Sequence, residues 1–223
     1  VKYRLSAHGQ LLPYDDNIDW TLKINRLPDS RGYIVRDVAT FLQTVRKSGY
    51  YQIGKNYYEP LSLTAFDVAS QDLIRFLWQL VPEKAGFDSQ YGRTLRLPLP
   101  QLEDGLDLLN SLHHFSFEAD GESYSQLYTY PLTADAGIFS TELTVQQRII
   151  TLSITGKSHR SLFHGAYLQH QNGLYAVQYE QRALLEALAN LGKESVKTIQ
   201  FGFKDQEKVA LALMEFERIG TVS

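Results

Sequence analysis

The hydrophobic residues of this chain change repeatedly between two spacings, one typical of strands and one typical of helices, without a regular order. Trp20, Leu22 and Ile24 alternate with polar residues, as in a half-buried strand. Residues 38–45 instead carry apolar side chains at the i, i+3, i+4 and i+7 positions of an amphipathic helix, with Asp37 as its N-cap. A doubly wound parallel sheet requires strands that alternate with helices, so the pattern favours an α+β fold of short helices and antiparallel hairpins.

Two stretches have the composition of a tight hairpin. Aromatic runs at 50–53 and 57–61 flank Gly54-Lys55-Asn56, and strand-like runs at 162–168 and 174–177 flank Asn172-Gly173. An Asn-Gly pair between hydrophobic runs is a strong signal for a two-residue turn, so we expect one strand on each side of it. Ile150, Leu152 and Ile154 alternate and predict a further strand before this hairpin.

Four further apolar faces predict helices. Ser70 is placed to cap the first of them, which Pro82 would end, and Gly192 would end the third. The faces are formed by residues 74–81, 102–112, 184–191 and 209–219. We expect an N-terminal helix and hairpin part at 1–112 and a C-terminal part of β-hairpins and two helices at 113–223. One continuous domain fits the same pattern.

Composition excludes several classes of protein. The chain has 223 residues and no cysteine, which excludes disulfides, thiolate metal sites and cysteine nucleophiles. No apolar run approaches a membrane span and no secretory signal is visible, so we expect a cytoplasmic protein without membrane contact. Because the chain begins at Val1 rather than at a methionine, we expect a piece of a longer protein.

The net charge of −3 is unevenly distributed along the chain. Residues 101–150 hold eight acidic side chains and one arginine. An acidic segment of this kind argues against a protein that coats nucleic acid, which would carry a basic stripe. A local basic patch remains compatible with it.

The turn Gly156-Lys157-Ser158 resembles the end of a phosphate-binding P-loop, but the rest of that motif is absent. A P-loop needs a glycine five positions before Gly156, where Thr151 lies within a strand. We therefore predict a strand-to-strand turn, and no cofactor. Nor should His159, His164 and His170 share a metal ion, since on a strand the last two would be about 20 Å apart unless the chain folds back.

No other catalytic motif is visible. The chain lacks a Gly-x-Ser-x-Gly elbow and a His-Glu-x-x-His helix, and its paired acids have no identifiable partner. We predict no catalytic residues in this segment. We also expect no pocket in which two or more titratable groups converge, because such a pocket would favour an enzyme instead.

Aromatic residues next to cations favour a surface on which nucleic-acid bases stack. On a hairpin, however, alternate tyrosines face the core, so half of the cluster at 50–58 should serve packing. A second basic cluster follows the strand at 150–154. The candidate nucleic-acid contacts are Arg46, Lys47, Lys55, Tyr57, Lys157 and Arg160.

Two stretches resemble the accessory region of bacterial SWI/SNF-family helicase-like ATPases. The first is Tyr50-Tyr51-Gln52-Ile53-Gly54-Lys55-Asn56-Tyr57-Tyr58-Glu59-Pro60-Leu61, set between two helices. The second runs from Ile199-Gln200-Phe201 through a helix to Ile219-Gly220-Thr221-Val222 and is similar to the closing strand, helix and exit of that region. The strands at 149–179 and the leucine helix after them follow in a similar order.

The resemblance implies a non-catalytic accessory domain of a bacterial ATP-dependent helicase or DNA translocase, which assists nucleic-acid or motor docking. Its implied partners are the ATPase motor of the same parent chain and DNA. ATP binding belongs to that motor, and no functional residue of the family transfers to a position of this sequence. The alternative hypothesis is a standalone protein-interaction module with an exposed aromatic surface.

Overall fold

The computed structural model describes residues 1–29, 31–81, 92–190 and 196–223. These residues form two compact units, Val1–Tyr128 (unit 1) and Thr129–Ser223 (unit 2). Unit 1 extends past residue 112, where we expected the first part to end, because two strands beyond that point join its sheet.

The described residues of unit 1 form a five-stranded mixed sheet, a separate two-stranded hairpin and three helices. Its strands are β1 (Tyr3–Leu11), β2 (Ile18–Arg26), β3 (Arg31–Ile34), β4 (Tyr50–Gln52), β5 (Tyr58–Pro60), β6 (His114–Ala119) and β7 (Glu122–Tyr124). Its helices are α1 (Val38–Arg46), α2 (Val68–Leu80) and α3 (Leu99–Asn110). The sheet order is β3-β2-β1-β6-β7, in which β1 runs antiparallel to β2 and parallel to β6. The strands β4 and β5 form a separate hairpin.

The core of unit 1 confirms the predicted strand and first helix. Trp20, Leu22 and Ile24 are buried on one face of β2, while the residues between them are more exposed. The carboxylate of Asp37 accepts the N–H of Thr40 at 2.9 Å and so caps α1. The hairpin of β4 and β5 turns through Gly54-Lys55-Asn56, as expected.

The N-cap of α2 is Asp67, and our assignment of Ser70 to that position is wrong. The Asp67 carboxylate accepts the N–H of Ser70 at 3.1 Å, so Ser70 lies within the first turn. The Ser70 hydroxyl instead accepts the N–H of Leu5 from β1 at 2.8 Å. Both residue types cap helices well, and here the helix starts earlier because Asp67 takes this role. Pro82, the expected end of this helix, lies outside the described residues.

In unit 2, the residues outside the gap at 191–195 form two four-stranded sheets and two helices. Its strands are β8 (Tyr128–Pro131), which starts at the last residue of unit 1, β9 (Phe139–Gln146), β10 (Ile149–Gly156), β11 (Arg160–Leu162), β12 (Tyr167–His170), β13 (Gly173–Ala176), β14 (Val196–Gly202) and β15 (Gly220–Val222). Its helices are α4 (Tyr179–Asn190) and α5 (Gln206–Glu217). The sheet orders are β14-β10-β9-β15 and β11-β12-β13-β8.

A single hydrophobic cluster forms the core of unit 2. Ile150, Leu152 and Ile154 of β10 pack in it with Leu188 of α4 and Phe216 of α5. These are the strand and helix faces that the sequence predicts. Leu191 and Gly192, which we expected to end the fourth helix, lie outside the described residues.

The expected strand at 162–168 is instead two short strands separated by a turn. Phe163 and His164 have positive φ angles of 53° and 55°, and Gly165 has a φ of 82°. The chain therefore reverses between β11 and β12, which pair with each other. The next turn also differs from our prediction, because Gln171 adopts a φ of 52° and Gly173 already belongs to β13.

The pairing of the last strand of unit 2 requires a close approach between two backbone segments at Gly220. The strand β15 runs parallel to β9, and Gly220 pairs with Phe139. A Cβ atom at residue 220 would lie 2.3 Å from the carbonyl oxygen of Phe139, so only glycine fits there. Both units thus mix helices with small, largely antiparallel sheets, and the α+β fold class is confirmed.

Candidate functional site

A cavity of about 560 Å³ lies within unit 2, and we call it the basic cavity. Its walls come from the end of β10, the turn that follows, the β11–β12 turn, α4 and the start of β14. The apolar part of the lining is Phe139, Ile154, Leu168, Leu185 and Leu188. The titratable part is Lys157, His159, His164, Arg182, Glu186 and Lys197. Our expectation that no pocket gathers titratable groups is therefore wrong.

Antiparallel pairing brings two distant lysines to the same cavity. Lys197 pairs with Ile154 across β14 and β10, and Lys157 follows three residues after Ile154. The backbone N–H of Lys157 donates to the carbonyl oxygen of Ile138 at 2.9 Å, which fixes the turn where β10 ends. Arg182 enters from α4 as an exposed helical residue. Two lysines and one arginine thus line one concave surface.

The ammonium group of Lys197 is buried without a hydrogen-bond partner among the described residues. Lys197 is half-buried and lies on the same side of β14 as Ile199 and Phe201, which pack against the core. A buried ammonium group without a partner is costly, since it has lost its hydration and gained nothing in exchange. Such a group in a cavity wall calls for a bound anion or ordered water.

Two histidines hold the turn that carries Lys157. Nδ1 of His159 lies 2.6 Å from the carbonyl oxygen of Lys157, and Nδ1 of His170 lies 2.7 Å from that of Ser158. A carbonyl oxygen only accepts hydrogen bonds, so each imidazole donates through Nδ1. The ring of His159 also contacts that of Phe139 edge to face, with centroids 5.2 Å apart. The position of Lys157 is therefore supported from both sides of the turn.

The charge balance in the basic cavity favours anions. Of the lining residues for which the structure gives a placement, Lys157, Arg182 and Lys197 are cationic and Glu186 is the one carboxylate. None of these three cations forms a salt bridge within the described ranges 1–29, 31–81, 92–190 and 196–223. Their charge is therefore available to a ligand, in a chain whose overall charge is negative.

The structure brings only part of the predicted basic cluster of unit 2 into the basic cavity. Lys157 lines the cavity, whereas Arg160 begins β11 and pairs with Gln169. Arg182 and Lys197 were missed, because on sequence alone one is an ordinary helix position and the other an ordinary strand position. The only signal that pointed to this region was the turn at Lys157, which joins two strands as predicted.

The other predicted contacts lie in unit 1, on α1 and the hairpin after it. The guanidinium of Arg46 lies 5.5 Å from the ring centroid of Trp78, and Lys47 is the exposed C-cap of α1. Lys55 and Tyr57 are exposed in and beside the β4–β5 turn. Arg46 and Lys47 are thus neighbours at the end of α1, and Lys55 and Tyr57 are neighbours at the tip of the β4–β5 hairpin.

Fewer tyrosines of the β4–β5 hairpin pack in the core than the predicted half, since one of the four is buried. Tyr51 is buried and packs edge to face against Phe41, with ring centroids 5.6 Å apart. Tyr50, Tyr57 and Tyr58 are more than half exposed. Three exposed aromatic rings on one hairpin form a surface that a partner could cover.

The described part of the chain offers no obvious metal centre. Among its residues, no group of three or more His, Asp or Glu side chains is placed to hold a metal ion. His159 and His164 do approach the same cavity, because the chain folds back between β11 and β12. Membrane spans are a separate question: the helices of the described residues are all too short or too polar to span a bilayer.

Comparison with known proteins connects this region to one family. A family model described as bacterial SNF2 helicase associated matches residues 93–223, which is more than half of the chain and includes all of unit 2. No curated protein and no solved structure matches the chain. The resemblance carried by residues 199–222 is confirmed, whereas residues 50–61 lie outside the matched segment. The chain belongs to the bacterial SNF2 helicase-associated family.

Proposed function

We propose that this chain is a non-catalytic accessory region of a bacterial ATP-dependent helicase or translocase, and that it contacts the phosphates of nucleic acid through unit 2. The parent protein would be cytoplasmic, and the ATPase motor in the same parent chain would be the principal protein partner. The observation that carries the proposal is the convergence of Lys157, Arg182 and Lys197 on one cavity within the segment that matches the family.

Phosphate contact explains why these cations are grouped in an otherwise acidic chain. Lys and Arg side chains bind backbone phosphates without regard to base sequence, which suits a region that assists a motor moving along DNA. The net charge of −3 opposes binding elsewhere on the surface, so contact should be confined to the basic clusters. The exposed Lys47 and Lys55 of unit 1 are a second, separate set of candidate contacts.

A salt titration tests this proposal directly. Fluorescence anisotropy with labelled single-stranded and duplex DNA should give a linear fall of log Kobs with log salt concentration. Three phosphate contacts predict a slope of about −2 on single strands and about −3 on duplex. Lys157→Ala should make the slope shallower by roughly 0.7 to 0.9. Lys204→Ala, at an exposed residue of unit 2 that does not line the cavity, is the matched control and should leave the slope unchanged.

Failure of this experiment has a clear form. Binding that is undetectable at low salt would refute nucleic-acid contact. If the salt dependence of binding is the same for Lys157→Ala and for the parent, Lys157 makes no phosphate contact, and nucleic acid binds outside the basic cavity.

A second candidate function is docking to a protein through the tyrosines of unit 1. Tyr50 and Tyr58 are exposed on the hairpin by 73% and 59%, and tyrosine is enriched at protein interfaces. The double variant Tyr50→Ser, Tyr58→Ser should weaken binding of the purified ATPase motor, measured by size-exclusion chromatography. Tyr14→Ser removes a fully exposed tyrosine elsewhere in unit 1 and should have no effect. Equal binding of the motor by the parent and both variants would show that the hairpin tyrosines are not its docking surface.

A further inference from the structure

We propose that the basic cavity holds a single nucleoside phosphate, with its phosphate against the cations and its base against the apolar wall. This inference rests on the proposed contact of unit 2 with nucleic acid and specifies what enters the cavity. The proposed ligand, a single nucleoside phosphate inside the cavity, is not needed for contact between the protein surface and the DNA backbone.

The cationic side of the cavity has the charge for a phosphate. Among the lining residues that the structure describes, the charges of Lys157, Arg182 and Lys197 exceed that of Glu186 by two. A phosphomonoester carries a charge of about −1.5 to −2 at neutral pH and offers several acceptor oxygens, whereas a carboxylate carries only one charge. The buried ammonium of Lys197, which has no partner within the described residues, would gain one from a phosphate oxygen.

The apolar part of the lining suits a flat, apolar group. Phe139, Leu168 and Leu185 contribute side chains to it. Phe139 is largely buried, and its ring and the edge-on ring of His159 contribute aromatic surface to the cavity. Stacking of a base on an aromatic side chain does not depend on base identity.

The volume of the cavity is larger than a phosphate alone would fill. At about 560 Å³ it falls in the range of roughly 300 to 1,000 Å³ typical of small-molecule pockets. Inorganic phosphate would fill the cationic side and leave the apolar wall uncovered. Ser158 and Ser161 also line the cavity and offer hydroxyl groups to a sugar.

Two sources share this chemistry, a free nucleotide and a nucleotide at the end of a strand. Isothermal titration calorimetry with dAMP, inorganic phosphate and deoxyadenosine tests the ligand class. We expect dAMP to bind more tightly than phosphate, and deoxyadenosine to give no binding. Competition between dAMP and a short single strand, with and without a 5′-phosphate, then identifies the source. Displacement of only the phosphorylated strand indicates a strand end, whereas equal displacement of both strands indicates a free nucleotide that competes with internal phosphates for the same cations.

Three variants separate the two sides of the cavity from general effects of charge. Lys197→Met should weaken dAMP binding by about tenfold or more, because a charge-assisted hydrogen bond is lost. Its melting temperature without ligand should not fall, since the substitution removes a buried charge without a partner. Ala189→Phe, at an exposed helical residue that lines the cavity, should weaken dAMP but not inorganic phosphate. Lys204→Met should match the parent in both assays.

The inference is overturned if dAMP does not bind, or if Lys197→Met and Ala189→Phe both bind it as the parent does. When long DNA still binds with the expected salt slope, only the inference fails and the proposed function stands. When neither dAMP nor long DNA binds, both fail together. A fall in the melting temperature of Lys197→Met, with unchanged dAMP affinity, would assign Lys197 a structural role instead.

Discussion

Replacing Ser70 by alanine should destabilise unit 1, because it removes a hydrogen-bond acceptor from the buried amide of Leu5 in β1. Ser70 is fully buried, and its hydroxyl accepts the N–H of Leu5 at 2.8 Å. Pairing of β1 with β6 begins at Ser6, so β6 does not reach the start of β1. Residues at the start of α2 form hydrogen bonds with the start of β1 instead of β6. Besides the bond from Leu5 to Ser70, the N–H of Asp67 donates to the carbonyl oxygen of Tyr3.

The size of the effect follows from this geometry. In Ser70→Ala the N–H of Leu5 remains buried but loses its acceptor, which costs about 1–3 kcal/mol. A typical domain is stable by only about 5–15 kcal/mol, so this is a measurable fraction of the total. With a urea dependence of about 1–3 kcal/mol per molar, the midpoint of unfolding should fall by about 1 M.

Tryptophan fluorescence reports this change in unit 1 alone. The chain has two tryptophans, Trp20 and Trp78, and both lie in unit 1. Ser111→Ala is the matched control, because the Ser111 hydroxyl donates to the carbonyl oxygen of Asp107 at an exposed helix end. This control should change the stability by less than about 0.5 kcal/mol. Equal urea midpoints for the two variants would refute the reasoning.

Two further predictions concern the close approach at Gly220 and the titration of Asp15. Gly220→Ala should destabilise unit 2 by about 1–3 kcal/mol or more, because the added carbon would meet the carbonyl group of Phe139. Thermal melts followed by circular dichroism measure this change. The control Gly202→Ala should be nearly neutral, since its added carbon would come no closer than 3.4 Å to its neighbours. Burial raises the pKa of the Asp15 carboxyl, but a backbone N–H and the guanidinium of Arg96, 2.8 Å away, outweigh burial and hold this pKa below 3.8. The ionised carboxylate therefore stabilises the fold above about pH 4, and this contribution is lost as the pH falls through the folded-state pKa. Asp15→Asn should lower the urea midpoint at pH 7 and lower it less as the pH falls below about 4, and the same decrease at every pH would contradict this account.

Local signals in the sequence predicted local structure well. The helix that begins after Asp37 and the hairpin around Gly54 depend on residues only a few positions apart, and both are confirmed. The second hairpin shows the limit of such signals. Gln171 takes the left-handed conformation that Asn172-Gly173 was expected to supply, so the turn starts one residue earlier.

Contacts between distant residues could not be derived in this way. The parallel pairing of β1 with β6 joins Ser6 to His114, and no sequence pattern at either strand specifies the other. The basic cavity has the same origin. Arg182 and Lys197 are unremarkable in sequence, and only the pairing of β10 with β14 and the packing of α4 place them near Lys157.

The parallel contact between β1 and β6 also bears on how the family region should be excised. The matched segment starts at residue 93, inside unit 1, and so includes β6 but not β1. A fragment cut there would expose Phe117, which is fully buried, and would separate Arg96 from the two aspartates that bind it in the β1–β2 region. A cut between Tyr128 and Thr129 follows the boundary between the compact units instead. The matched segment and the compact units therefore have different limits in this chain, and the first part of the matched segment packs against β1 and the two aspartates of the β1–β2 region.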